Sequence, residues 1–283
     1  MAARNGPALG DPRRMTRVVF GCAPEEVAPD VIVTPFVPLK AFRRPLEGAT
    51  FRELAPPFFY KGFTAETQGR RVTVILTGVG PSRVGDCLGF LALTPARRVL
   101  FAGAVGGLAR GQAIGDWFLP TAAADGEGYT RYVARPFEEV VAGAPTVPAD
   151  GALGRGVGPF LEARGWTVHR GPVFTVGSIT FESRPNLEAL ARAGYAALEM
   201  ELSAFYAAAR FHGLDPAALT YVSDLPLESS LWAAKSPEEE AALRRAYRAL
   251  PGLALEYLGM AAAGGAGEAG GMTSGGRGGP ARP

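Results

Sequence analysis

Tyr195-Ala-Ala-Leu-Glu-Met-Glu-Leu-Ser-Ala-Phe205 reads as a strand that runs straight into a helix. Gly194 can close the helix before it, and residues 195–198 are apolar. From there Leu202, Phe205, Tyr206 and Ala209 recur at helical spacing. Glu199 and Glu201 stand at the junction with Met200 between them. In an α/β protein such a junction opens at the carboxyl edge of the sheet, where ligands bind. Carboxylates beside a core cost free energy unless something hydrogen-bonds to them, and a substrate hydroxyl would serve. The same residues also allow a plain solvated helix start, since acids suit the first helical turn.

On either side of this stretch, strands and helices alternate. Upstream, 185–193 reads as a helix, and 172–176 as a strand ending in Gly177-Ser-Ile-Thr-Phe-Glu-Ser183. Downstream, the helix ends near His212-Gly213, and 218–222 is a strand that delivers Ser223 and Asp224. That places Asp224 on the rim of Glu199 and Glu201 if the sheet is parallel there. Residues 71–77 alternate as a β-branched strand into Gly78-Val-Gly80-Pro-Ser82 and a helix carrying Val84, Cys87, Leu88 and Leu91. A Gly-rich turn before a helix can cradle an anion or simply turn; this one lacks the Lys-Ser/Thr of a phosphate loop. Residues 97–101 form a strand running into a second glycine turn, Gly103-Ala104-Val105-Gly106-Gly107, where backbone can approach a ligand closely.

The remaining segments fill out one α/β unit. Strands are expected at 16–20, 58–63 and 114–120, a polar aromatic loop at 125–132 and a helix at 152–165. The segment 31–57 reads as irregular, and Glu25 and Glu26, in the loop after the first strand, either start a helix or face a site. Ser236-Pro-Glu-Glu-Glu240 opens a final helix with capping chemistry. The fold expected over 16–260 is a single three-layer domain, a central twisted mixed β-sheet flanked by helices. Residues 1–15 read as a disordered leader and 261–283 as a Gly-rich disordered tail.

The totals exclude several classes. Of the 283 residues, 47% are hydrophobic and 20% charged, which are globular values. A net charge of +2 gives no pull toward nucleic acid or a membrane surface, and no apolar run is long enough to span one. Cys22 and Cys87 are far apart, and with only His169 and His212 beside them no metal site is expected. The cysteine usage and the lack of a signal peptide suit a cytoplasmic protein.

Taken in order, these segments resemble the nucleoside phosphorylase and nucleosidase superfamily of the purine- and uridine-phosphorylase type. Glu199-Met200-Glu201 is similar to its Glu-Met-Glu signature, and Ser223-Asp224 to its later Ser-Asp. Gly103-Ala-Val-Gly-Gly-Leu108 followed by Gly115-Asp116 resembles its glycine segment, and 126–132 the Glu-Gly-Thr-Ser loop of some phosphorylases. The resemblance implies cleavage of the N-glycosidic bond of a nucleoside, with a purine base expected. Glu201, with Glu199 beside it, would hold the ribose hydroxyls, and Met200 would pack on the sugar. Asp224, beside Ser223, would protonate the leaving base. Phe181 and Tyr129 are the candidates for stacking on the base, against ordinary packing as the alternative. The family is oligomeric, so a homo-oligomer without cofactors is expected.

The nucleophile divides the family. Phosphorylases take phosphate as co-substrate, held by arginines and a Ser/Thr in the glycine turn; here Ala104 and Phe101 stand at the positions of that Ser/Thr and one such Arg. Gly21-Cys-Ala-Pro-Glu-Glu-Val27 resembles the Gly-Ala-Met-Glu-Glu-Glu-Val of methylthioadenosine/adenosylhomocysteine nucleosidases, which would make Glu26 the water-activating carboxylate. Hydrolysis is therefore expected over phosphorolysis. The alternatives are a non-catalytic nucleoside-binding protein and a dinucleotide-dependent oxidoreductase, the latter lacking its glycine fingerprint after the first strand.

Overall fold

In the computed structural model, residues 10–55 and 58–260 are described. The expected tail, and the leader up to residue 9, lie outside them. The chain begins with α1 (Pro12–Phe20), a short turn at Pro24–Glu26, β1 (Asp30–Thr34), α2 (Leu39–Arg43) and a β2–β3–β4 meander (Thr50–Leu54, Lys61–Thr67, Arg70–Leu76). Next come α3 (Pro81–Leu91), β5 (Arg98–Gly107) and β6 (Trp117–Gly126). α4 (Tyr129–Ala134), α5 (Phe137–Ala142), β7 (Thr146–Pro148), α6 (Val157–Glu162) and β8 (Val168–Val176) follow. The site-bearing half is α7 (Arg184–Arg192), β9 (Ala197–Glu199), α8 (Leu202–His212), β10 (Asp215–Asp224) and α9 (Pro237–Tyr257).

The described strands form one mixed sheet whose axis is β5. Along one edge β5 pairs in parallel with β10 from Arg98 to Gly106. Along the other it pairs first with β1, in parallel, and then with β9, antiparallel at Gly106 and Gly107. The strands therefore deliver Thr34, Leu76, Asp224 and the end of β5 to one rim.

Helices cover both faces, as a sheet buried on both sides requires. Val31 and Val33 share a core with residues of α3 and α8, including Leu88, Phe205 and Ala209. Ile32, Leu100 and Leu219 point the other way, into a core with Phe42, Leu161 and Leu250. A third cluster under α5 and α7, with Phe137, Val140 and Leu190, closes the end near β8. The α9 start is capped as expected: Ser236 Oγ accepts from the Glu239 amide at 3.1 Å, and the Glu239 carboxylate accepts from the Ser236 amide at 2.7 Å. No helix among the described residues is long and apolar enough to cross a membrane.

The amino-terminal reading needs correction. Residues 16–20 are the end of α1, which starts at Pro12, inside the segment read as a disordered leader. Asp11 caps it by accepting from the Arg13 and Arg14 amides, Thr16 Oγ1 bonds back to the Pro12 carbonyl at 3.0 Å, and Gly21 ends it at φ 73°. These local caps outweigh the β-branched bias of Thr16, Val18 and Val19. The first strand is instead Val31-Ile-Val33 with its neighbours, inside a segment whose prolines obscured it. The polar loop expected at 125–132 is also partly regular, since β6 runs to Gly126 and α4 begins at Tyr129.

Candidate active site

A cavity of about 530 Å³ opens at the carboxyl rim of the sheet, where β1, β4, β5 and β10 end and α8 begins. It is lined by four acids, Glu182, Glu199, Glu201 and Asp224, set among apolar side chains.

The strand-to-helix junction builds one wall. β9 ends at Glu199, and α8 starts at Leu202 with Glu201 in the capping position. The two acids are not equivalent. Glu199 is buried and accepts from Thr175 Oγ1 at 2.5 Å and from the amides of Glu201 and Leu202, both at 2.6 Å. It acts as the anchor of the helix start, so the ribose role expected of the pair falls to its neighbour. Glu201 accepts from the Gly80 amide at 2.7 Å through Oε1, and its Oε2 has no hydrogen-bond partner among the described residues. Burial pushes both carboxyls well above their ordinary range, and the Glu199 charge pushes Glu201 further. Gly80 holds φ at 117°, a conformation that favours glycine, and so aims its amide at that carboxylate. The anion cradled by the early glycine turn is thus a side chain 121 residues away. Met200, half-buried between the two acids, faces the cavity.

Asp224 forms the opposite wall. The β10–β5 register shifts between Val222 and Asp224, a bulge that re-aims the last residues of the strand. Asp224 accepts from Ser223 Oγ at 2.8 Å. Burial raises its carboxyl, against the Ser223 hydroxyl and the Lys235 charge, which lower it. Glu182 lines the cavity as well, and burial together with the Asp224 charge pushes it up to about 7. The sequence reading passed over Glu182, although it sits in the strand-end turn already marked for Phe181; an acid at such a rim was the available signal.

Four expected placements do not hold. The Gly103–Gly107 segment is a continuation of β5 and not a turn, and its residues pair with β10 and β9. Its glycines answer to close packing: a Cβ on Gly103 would lie 2.5 Å from the Phe101 ring, and one on Gly107 2.5 Å from Gln112. Of this segment Ala104, Val105 and Gly106 reach the cavity. Phe181 turns away from it, packing on Tyr132 with ring centroids 4.8 Å apart. Tyr129 is 58% exposed and meets the outer edge of Phe181 at 5.4 Å, so neither ring lines the cavity. Glu26 lies four residues before β1 and is ion-paired with Arg52, while accepting from the Ala23 amide at 2.5 Å. Its carbonyl is bonded by Thr64 in mid-strand, so it is remote from the rim where the cavity opens. The residues that do follow β1 are Pro35, Phe36 and Val37, and Phe36 lines the cavity.

The cavity is poor in cations. Arg244 is the basic residue on its wall, and it donates to Glu240 at 2.8 Å. Phe36, Val79 and Ala104 stand at the ends of β1, β4 and β5.

Comparison with known proteins agrees with this architecture. The profile of the phosphorylase superfamily matches residues 33–258, a span that starts within β1 and leaves Glu26 outside. A DeoD-type purine nucleoside phosphorylase of Myxococcus xanthus (strain DK1622) is 32% identical over 212 residues, which cover 72% of this chain and 84% of that protein. Among solved structures, uridine phosphorylase from Vibrio fischeri ES114 superposes with a TM-score of 0.69 at 22% identity, covering 87% of this chain and 98% of the other. A Helicobacter pylori futalosine hydrolase mutant superposes at 0.65 and 14% identity, over 82% and 99%. A mutant of the Helicobacter pylori methylthioadenosine nucleosidase, with 5′-methylthioadenosine in its active site, gives 0.62 and 15%, over 82% and 96%. By the profile and by the Myxococcus relative, the chain belongs to the phosphorylase superfamily, the nucleoside phosphorylases and nucleosidases that cleave N-glycosidic bonds.

Proposed function

We propose that this chain cleaves the N-glycosidic bond of a purine nucleoside and that water, not phosphate, takes the sugar. The observation that carries the reading is the make-up of the cavity wall: among the described residues, four acids and one base, Arg244, already engaged by Glu240. The β5 backbone beside the cavity pairs with β10 and β9, and a phosphate dianion there would find no free cation among the described residues of the wall, only the acids. A ribosyl cation developing in the same place is stabilised by them.

Glu201 has the geometry for the sugar. Its free Oε2 accepts from a ribose hydroxyl while Gly80 holds the other oxygen, and Met200 covers the apolar face beside it. Asp224, buried and raised in pKa, supplies the proton that the departing base requires. As the bond breaks, its electron pair passes to the base and the Asp224 proton follows. Water then adds to the sugar carbon and releases its own proton. With Glu26 bound to Arg52, the water needs a different acceptor, and the Glu201 carboxylate stands beside the cation that it attacks.

The second reading is phosphorolysis, favoured by the Myxococcus relative's identity as a phosphorylase. Base release from adenosine, inosine, guanosine and uridine, with and without phosphate, separates the two. Free ribose formed at a rate independent of phosphate is expected; strict phosphate dependence with ribose-1-phosphate as product would overturn the hydrolytic reading. Asp224→Asn is expected to lower kcat by about 10²–10⁴-fold.

A further inference from the structure

Glu182 is an acid of the cavity that the reaction above leaves without a task. It lines the cavity with Asp224, and no hydrogen bond or ion pair holds it among the described residues. By contrast, Glu199 and Glu201 are tied to backbone amides and Asp224 to the Ser223 hydroxyl. A partly buried carboxyl without a protein partner, facing the group that protonates the base, is placed for the base itself.

The chemistry of that edge is specific. A purine shows an acceptor at N7 and, beside it, its 6-substituent, which donates if amino and accepts if oxo. Two neighbouring carboxyls that share one proton show one donor and one acceptor. We infer that Glu182 and Asp224 read this edge together, Asp224 donating its proton to N7 and ionised Glu182 accepting from a 6-amino group, so that 6-aminopurine nucleosides are the preferred substrates. This rests on the glycosidic reading above and on Asp224 meeting N7.

The electrostatics fit a pair with one proton. Burial and the Asp224 charge hold Glu182 up to about 7, and burial raises Asp224, so the pair keeps one proton, which rests on Glu182 in the free site and moves to Asp224 when a base brings N7 to Asp224 and a 6-amino group to Glu182. The other charged groups around the pair are Lys235, which lowers Asp224, Glu199 and Glu201 across the cavity, and Arg244, held by Glu240. When the glycosidic bond breaks, its electrons pass into the base and the Asp224 proton moves to N7. Both carboxylates are then ionised until one regains a proton from solvent. A 6-oxopurine shows two acceptors, so it requires a proton on both carboxyls, a state that grows only as pH falls.

The test is equilibrium binding of adenine and of hypoxanthine to the full chain between pH 6 and 8.5, by calorimetry. It is paired with kcat/KM for adenosine and inosine over the same range. Adenine is expected to bind roughly tenfold or more tightly at pH 8, the effect of one mispaired buried acceptor, with the margin narrowing below pH 7. Glu182→Gln, which offers a donor as well as an acceptor and no charge, should shrink that margin by about tenfold and remove its pH dependence. A margin unchanged in Glu182→Gln, hypoxanthine binding as tightly as adenine at pH 8, or no binding of either base overturns the inference. Failure of the broader reading looks different: both nucleosides stay intact while the bases still bind with the Glu182-dependent margin.

Discussion

Glu199→Ala removes the group that holds the start of α8, and the structure allows its effect to be worked out. Three donors end on this carboxylate: the Thr175 hydroxyl and the amides of Glu201 and Leu202. Each buried donor left without a partner costs about 1–3 kcal/mol. The low end applies, because Glu199 borders the cavity and water can reach part of the gap. Three donors at about 1 kcal/mol each give a loss of about 3 kcal/mol. For a domain of this size that is a fall in Tm of roughly 6–12 °C. Glu199→Gln should lose no more than about 1 kcal/mol, since its amide oxygen can keep both main-chain donors and the Thr175 hydroxyl can rotate to accept from its NH₂. Urea unfolding of the three proteins, compared at constant m-value, measures this directly. A Glu199→Ala variant that unfolds within about 1 kcal/mol of the parent would refute the anchoring role and return Glu199 to the sugar site.

Three further outcomes follow from the same geometry. Glu182, Glu199 and Glu201 are all raised by burial, so the folded chain holds more protons than the unfolded one from the ordinary 4.5 up to about 8, where Glu201 lies. Stability should therefore fall as pH rises from 4.5 through about 8 and then level off, and Glu201→Gln should flatten the upper part of the curve in denaturant titrations at several pH values. Glu26→Gln should leave base release unchanged and shift stability by under about 1 kcal/mol, because its Arg52 partner is largely exposed; a hundredfold loss of turnover would restore it to the mechanism. Gly103→Val should destabilise by about 1–3 kcal/mol through its clash with the Phe101 ring, without altering the ratio of products from the nucleoside panel; thermal unfolding checks the first part and product analysis the second.

Much of this molecule is written in its local sequence. The Tyr195–Phe205 stretch is strand then helix because a short continuous apolar run, 195–198, gives way to apolar residues at helical spacing, and both elements form where that change occurs. The alternating run before Gly78 forms β4, and the Ser236 box starts α9, since each signal is carried by neighbours within a few residues. The acids at the strand ends could be placed on one rim by topology alone, and Glu201 and Asp224 do meet in one cavity. What only the tertiary structure decided is where each polar group's partner stands. The sequence offers no sign that Glu199 would be consumed by Thr175 and two amides, that Gly80 would spend its amide on Glu201, or that Arg52 would take Glu26. The Gly103–Gly107 run could not be told from a turn, because glycine serves equally where a chain bends and where two surfaces press together. The ring of Phe181 was placed by packing against Tyr132, 49 positions away, and that of Tyr129 by the edge of Phe181. Hydrogen-bond and packing partners are chosen across the fold, so a sequence can show which groups are available at the rim but not which remain free for a ligand.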